Sequence, residues 1–162
     1  MTKNEIVNKF LINEKQEILI DKYLIQLLKF NAHTNLVGKS TLADPWISHV
    51  LDCLQILPLI QNKKNSILDM GTGAGLPGFL LKICGCKDVT LIDSNGKKIK
   101  FLQTVKTKLS MDLNIYKSRL EDMDEIKFDI ITSRALSSLD RLFTYSQKFI
   151  KKNTVLIFLK GK

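Results

Sequence analysis

The sequence predicts an α/β fold: a doubly wound, mainly parallel sheet preceded by a helical region. Three observations carry that expectation. From residue 66 onward, short apolar runs alternate with helical stretches. The first run, Ser66-Ile67-Leu68-Asp69-Met70, leads into a loop holding Gly71, Gly73, Gly75 and Gly78. Before residue 66, apolar residues instead recur at three- and four-residue spacing, the period of an amphipathic helix. Asn62-Lys63-Lys64-Asn65 marks the boundary between an N-terminal helical extension, 1–65, and an α/β core, 66–162.

In the extension, Ile6 and Phe10, then Ile18, Leu19, Leu24, Ile25 and Leu28, form the apolar stripe. Asn31 to Leu36 is a polar connection. Asp44-Pro45 reads as an N-cap with proline at the first helical position, opening a helix that runs to about Leu57, before Pro58. In the core, strands are expected near 66–70, 88–93, 113–117, 128–132 and 154–159. Helices are expected near 77–84, 96–109 and 137–150, with a shorter turn around 119–124. Strands that alternate with helices need crossover connections, hence a parallel sheet with its ligands beyond the C-terminal strand edges.

Composition narrows the class. With 44% hydrophobic and 25% charged residues in 162, the chain can bury one domain-sized core, which excludes a disordered or low-complexity protein. The longest apolar stretch, Val50 to Ile60, is broken by Asp52, Gln55 and Pro58, too short to span a bilayer. The start, Met1-Thr2-Lys3-Asn4-Glu5, lacks the layout of a signal peptide. Cys53, Cys84 and Cys86 make an odd set of thiols, so the expected compartment is the reducing cytoplasm, with no metal site and no membrane partner. The net charge of +9 is uneven: residues 1–65 hold 8 basic and 6 acidic groups, and the remaining 17 and 10 lie in 66–162. Lys97, Lys98, Lys100, Lys106 and Lys108 share one stretch without an acid. Such a surface suits a polyanion such as nucleic acid, or is simply a solvated lysine-rich face.

The glycine loop points to a ligand. Missing Cβ atoms let a ribose-bearing cofactor approach backbone at a strand-to-helix turn. Counted from Gly71, a dinucleotide pattern needs glycine at 76, where the chain has Leu76. Acid-x-Gly-x-Gly-x-Gly, starting at Asp69, is the form found in S-adenosylmethionine-dependent methyltransferases. Asp69 then fixes the loop or meets the cofactor's amino group through water. Asp93, ending the second strand 22 residues after Gly71, can take two ribose hydroxyls with one carboxylate. Leu120-Glu121 would border an adenine, or Glu121 caps a short helix; Arg134, just past the fourth strand, can grip a phosphate or a base carbonyl in a fixed fork, or belongs to a buried structural ion pair. His49 and Asp52 stand at i, i+3, where the carboxylate can orient the imidazole or the pair serves as a structural hydrogen bond between helices; His33 is expected to face solvent.

Absences restrict the reaction. After the fourth strand stands Thr132-Ser133-Arg134-Ala135, not the Asn/Asp-Pro-Pro-aromatic motif of exocyclic-amine methylation. No cysteine follows that strand to activate a pyrimidine carbon. An acceptor with a free lone pair, such as guanine N7, needs no base, only alignment with the donor.

Taken with Asn35-Leu36-Val37, His49-Val50-Leu51-Asp52-Cys53-Leu54, Leu68 to Gly78, Leu91-Ile92-Asp93-Ser94, Ser118-Arg119-Leu120-Glu121, Thr132-Ser133-Arg134-Ala135 and Leu159-Lys160-Gly161, the chain resembles the bacterial small-subunit ribosomal RNA guanine-N7 methyltransferases, also called glucose-inhibited division protein B. The resemblance implies a class I S-adenosylmethionine-dependent methyltransferase fold with an N-terminal helical extension. It implies a cofactor at Gly71, Leu76, Leu120, Glu121 and Arg134, joined by Gly73 and Asp93 from the residue reading above. Arg119, Arg134 and Lys160 are the expected basic groups toward RNA, with Arg134 and Lys160 positioning the target guanine. The expected partner of a monomeric enzyme is small-subunit ribosomal RNA or an assembling small subunit. The family continues past Leu-Lys-Gly, so the last two strands of a seven-stranded sheet are expected to be missing here. The alternative is an RNA-binding or assembly protein of this fold without turnover.

Overall fold

The structure is a computed structural model that describes residues 1–134 and 136–160. Ala135 of the Ser-Arg-Ala motif and Gly161 of Leu-Lys-Gly lie outside the described residues. Helix α1 (Lys3–Lys9) and helix α2 (Glu14–Asn31) both begin in capping boxes, Thr2 with Glu5 and Asn13 with Gln16. Each box satisfies two otherwise free N–H groups. On α2 the buried face is Ile20, Tyr23, Leu24, Leu27 and Asn31, whereas Ile18, Ile25 and Leu28 are 47%, 51% and 58% exposed. The stripe expected from hydropathy alone is thus rotated. Tyr23 explains the rotation: it brings the largest apolar surface on that side and a hydroxyl with a buried partner. Its ring stacks on Phe79 at 5.4 Å, and its hydroxyl donates to the Ala74 carbonyl at 2.6 Å, inside the glycine loop.

The helix expected after Asp44-Pro45 does begin there, with Ile47 N–H bonded to Asp44 Oδ1 at 3.2 Å. It is wound differently, however. Trp46–Leu51 is a π-helical turn, followed by a short α3 (Asp52–Leu54) and a 3₁₀ turn (Leu57–Leu59) where Pro58 withholds its N–H.

Five strands form one sheet in the order β3-β2-β1-β4-β5, every pair parallel. They are β1 (Ser66–Met70), β2 (Asp88–Asp93), β3 (Asn114–Lys117), β4 (Phe128–Arg134) and β5 (Ile150–Leu159). Helices α4 (Gly78–Ile83), α5 (Gly96–Lys108) and α6 (Leu139–Ser146) supply the crossovers, with a 3₁₀ turn (Leu120–Asp122) between β3 and β4. β5 starts earlier than expected because Thr154 takes the Phe128 carbonyl across a register shift, letting 150–153 join the strand. Alternation splits the side chains of each strand between two clusters. Ile67, Leu91, Ile130 and Ile157 face one that includes Ile6, Tyr23, Val50, Phe79 and Phe101; Leu68, Met70, Ile92 and Ile131 face the other, with Leu142 and Phe149. The N-terminal helices therefore share a continuous core with the sheet.

A buried carboxylate joins these parts. Asp69, fully buried near the end of β1, accepts from Thr72 Oγ1 at 2.6 Å and from the Gly78 N–H at 3.0 Å through Oδ2. Its Oδ1 accepts from Thr132 Oγ1 on β4 at 2.9 Å. Gly78 has to be glycine: a Cβ there would lie 2.3 Å from Leu91 and 2.9 Å from Asp69. Of the two expected roles, Asp69 fixes the loop.

Two measurements test this frame. Tyr23→Phe leaves the Ala74 carbonyl without its buried donor and is expected to cost about 1–2 kcal/mol in denaturant unfolding; an unchanged midpoint would remove the tether. Burial raises the Asp69 carboxyl from 3.8 to about 6, against the hydrogen bonds that favour its charged form. The folded chain therefore holds a proton that the unfolded chain has lost, so this contribution is present below about pH 4 and fades as pH rises through about 6. The difference in stability between wild type and Asp69→Asn should shrink across that interval, and a pH-independent difference would contradict the assignment.

Candidate methyl-donor site

The N–H groups of the loop after β1 are bonded partly within the loop and partly to β1 and β2. Thr72 N–H donates to the Ile92 carbonyl, Gly75 and Leu76 N–H to the Thr72 carbonyl, and Gly73 N–H to Asp93 Oδ2 at 2.8 Å. Gly71, Gly73 and Gly75 adopt φ of +58°, +58° and +86°, which favours glycine. The Gly78 N–H, at the start of α4, belongs to Asp69. Donors expected to be open to a ligand are thus largely engaged, and the loop offers shape rather than a row of free N–H groups.

Two cavities open at the C-terminal edge of β1 and β2 and share Gly71, Asp93, Ser94 and Leu136. The smaller, about 230 Å³, is lined by Arg119, Leu120 and Glu121 from the turn after β3, with Tyr145 opposite. The larger, about 500 Å³, is lined by Gly73, Leu76, Lys98, Arg134 and His49, and by Leu36, Val37 and Gly38 from the extension. Gly73 faces open space, since a Cβ there would meet nothing within 4 Å. Asp93 takes one backbone N–H on each oxygen, from Gly73 and from Asn95 at 2.9 Å. A carboxylate has about four acceptor positions, so lone pairs remain.

Arg134 is the most constrained of the expected residues. Its Nη1 lies 3.2 Å from Asp52 Oδ2 and 3.3 Å from Cys53 Sγ, and its Nη2 lies 2.8 Å from His49 Nδ1. The expected His49–Asp52 pair is therefore indirect: both side chains, set by the π-helical turn and α3, converge on one guanidinium. Arginine only donates, so His49 Nδ1 must accept and Nε2 must carry the proton. Nε2–H then donates to Thr41 Oγ1 at 2.8 Å, whose hydroxyl donates to the Gly38 carbonyl at 2.6 Å. Burial and the nearby guanidinium lower the His49 pKa from 6.5 to about 4, keeping the ring neutral. Burial pushes the Cys53 thiol up to about 12, so it meets Arg134 as a neutral thiol.

Lys160 stands apart from both cavities: its ammonium is exposed and donates to the Ser137 carbonyl, fastening the segment after β4. Sequence reasoning passed over several contributors. Thr41, Leu136 and Tyr145 carry no motif, and only the folded chain shows where they face. Asn31 could have been found as the polar residue at an apolar position: its buried Oδ1 accepts from Leu36 and Val37 N–H, both at 2.9 Å, and so shapes the cavity's outer wall. Among the described residues no cluster of three or more metal-ligating side chains occurs, and no helix is long and apolar enough to cross a membrane.

Comparison with solved structures finds the same architecture. A ribosomal protein L11 methylase from Lactobacillus delbrueckii subsp. bulgaricus matches with a TM-score of 0.59 at 20% identity, over 67% of this chain and 57% of that one. A mutant of MtNAS in complex with S-adenosylmethionine matches with a TM-score of 0.60 at 15% identity, over 89% of this chain and 59% of that one. The fold is that of class I S-adenosylmethionine-dependent methyltransferases. Sequence relatives are nearer. The "Ribosomal RNA small subunit methyltransferase G" of Paramagnetospirillum magneticum is 33% identical over 162 residues, all of this chain and 79% of the relative. That of Orientia tsutsugamushi (strain Ikeda) is 38% identical over 141 residues, 87% of this chain and 70% of the relative. The family model described as "GidB: rRNA small subunit methyltransferase G" matches residues 16–162. A match of that extent, on a chain whose glycine loop, Asp93 and Arg134 meet at one edge of a class I sheet, makes this protein a member of the rRNA small subunit methyltransferase G family.

Proposed function

We propose that this protein binds S-adenosylmethionine in the paired cavities and transfers its methyl group to the N7 of a guanine in small-subunit ribosomal RNA. The observation that carries the reading is the convergence of the Gly71–Gly78 loop, Asp93 and the fixed Arg134 fork around one space in a member of this family. Cytoplasmic location and action as a monomer belong to the same reading, as does the division into an N-terminal extension, 1–65, and a catalytic core, 66–162.

The residues fit such a cofactor. The open face of Gly73 and the free lone pairs of Asp93 suit a ribose with adjacent hydroxyls. Leu120 and Glu121 border the smaller cavity, where a flat base would lie against Ile92 and Leu136. When bound, the cofactor supplies a methyl group on a positively charged sulfur, already activated for transfer. The protein's own task is alignment. Asp52, Cys53 and His49 take up three of the five guanidinium N–H positions of Arg134, which fixes the plane of the fork at the cavity wall and leaves two donors for a ligand. A base carbonyl held there is presented edge-on, and its ring nitrogen needs no proton removed. The neutral His49 accepts from Arg134 and takes no proton from the acceptor. Arg119, on the rim of the smaller cavity, can meet a phosphate. Lys160 would serve RNA from outside the cavities, through its hold on the segment after β4.

Purified protein supplied with methyl-labelled cofactor and small-subunit RNA, naked or in particles, should label the RNA and make it cleavable by borohydride and aniline. Absence of label in both forms would overturn the reading in favour of a binding protein without turnover. Arg134→Ala should reduce transfer by roughly 10²-fold or more, as loss of an oriented donor does, with the circular dichroism spectrum unchanged. Arg134→Lys should fare little better, because an ammonium cannot reproduce the fork. Wild-type turnover in either variant would take Arg134 out of the site.

His49 gives a separate test. Its pKa is lowered from 6.5 to about 4 in the folded chain, so its contribution to stability is present above pH 6.5 and lost as pH falls toward 4. In His49→Gln the slope of stability against pH in that interval should fall by up to about 1.4 kcal/mol per pH unit. An unaltered slope would mean that the ring is protonated in the fold.

A further inference from the structure

The lysine-rich stretch of α5 is not used by the cavities, apart from Lys98. Its first turn faces the end of α2 across a separate groove of about 380 Å³, lined by Lys29, Phe30, His33, Thr34, Lys97 and Lys100. Lys29, Lys97, Lys100 and His33 are exposed, while Phe30 is half-buried and leans edge-on against Phe101 at 5.2 Å. Among the described residues none of these three lysines takes part in an ion pair. No acid occurs between residues 96 and 111 to neutralise them.

The groove adjoins the methyl-donor site along two elements. The loop that contributes His33 and Thr34 to the groove contributes Leu36, Val37 and Gly38 to the larger cavity. On α5, Lys97 and Lys100 face the groove and Lys98 faces the cavity. We infer that the α2–α5 groove is the track along which the RNA backbone reaches the target pocket, with Lys29, Lys97 and Lys100 holding successive phosphates and the open side of Phe30 receiving an unstacked base. The inference rests on the function proposed above and adds where the polynucleotide lies. A single-stranded segment is the form that fits: unpaired cations follow its backbone, and an aromatic surface takes any base by its π-face. It also places the main RNA contacts on the extension side of the cavity, opposite Lys160.

The test compares wild type with the triple variant Lys29→Gln, Lys97→Gln and Lys100→Gln, measuring affinity for small-subunit RNA across salt concentrations. Loss of three phosphate contacts should make the slope of log affinity against log salt shallower by roughly 2. Affinity for S-adenosylmethionine should stay within about twofold of wild type, since the variant leaves the cavities alone. Lys106→Gln with Lys108→Gln, in the last turn of α5, should keep the wild-type slope. A slope in the triple variant equal to wild type overturns the track while leaving the methyl-transfer reading intact. If wild type neither binds nor methylates the RNA, the proposed function falls and the track with it. A second measurement does not depend on the variant folding: RNA bound to wild type should shield Lys29, Lys97 and Lys100 from amine acetylation, read by mass spectrometry. Equal labelling with and without RNA would also overturn the track.

Discussion

The Asp69 carboxylate is the constraint around which the rest of the site is arranged. Three elements meet on its two oxygens: the adjoining glycine loop through Thr72, the start of α4 through Gly78, and the sequence-distant β4 through Thr132. A buried polar group of this kind is tolerated only when its lone pairs are taken. The requirement fixes where β1 stops and how close α4 comes to the sheet. It also aligns β4, so that Arg134, two residues after Thr132, emerges beside the loop. Removing the acid would misplace donor and acceptor sides together, because both hang from the same atoms.

The N-terminal helices take a direct part in this arrangement. Tyr23 reaches the Ala74 carbonyl, Asn31 gathers Leu36 and Val37, and the π-helical turn delivers His49 to Arg134. Each contact spans a loop or a whole element, so the extension works as one wall of the cavity and as the clamp on its guanidinium. His49, Asp52 and Cys53 stand at i, i+3 and i+4, on one face of the 46–54 segment, and all three address the Arg134 guanidinium.

Strand positions in the core were readable because a buried parallel sheet demands continuous apolar runs, each ended by a polar residue or glycine. Position on the sheet edge then made Gly71, Asp93, Glu121 and Arg134 visible as neighbours. Two kinds of information stayed hidden. Hydropathy ranks Ile18, Ile25 and Leu28 above Tyr23, yet the tyrosine is buried and the others are exposed, because only tyrosine could also satisfy Ala74. Long-range pairing was equally out of reach: nothing in the chain's order says that Thr41 bonds His49, or that Lys160 holds Ser137. Glycine spacing also discriminates less than a count from Gly71 suggests. Gly73, Gly75 and Gly78 themselves stand at Gly-x-Gly-x-x-Gly spacing, so the distinction from a dinucleotide site rests on the wider set of motifs and on the family match.

The bonded-up glycine loop has a thermodynamic corollary. Ordering a flexible loop on binding consumes part of the interaction free energy, whereas a loop whose N–H groups are already engaged by Ile92, Thr72, Asp93 and Asp69 has little disorder left to lose. Ligand and loop should then meet as preformed surfaces, with a small entropy of adjustment. Related ligands should differ mainly in how slowly they leave, not in how fast they arrive.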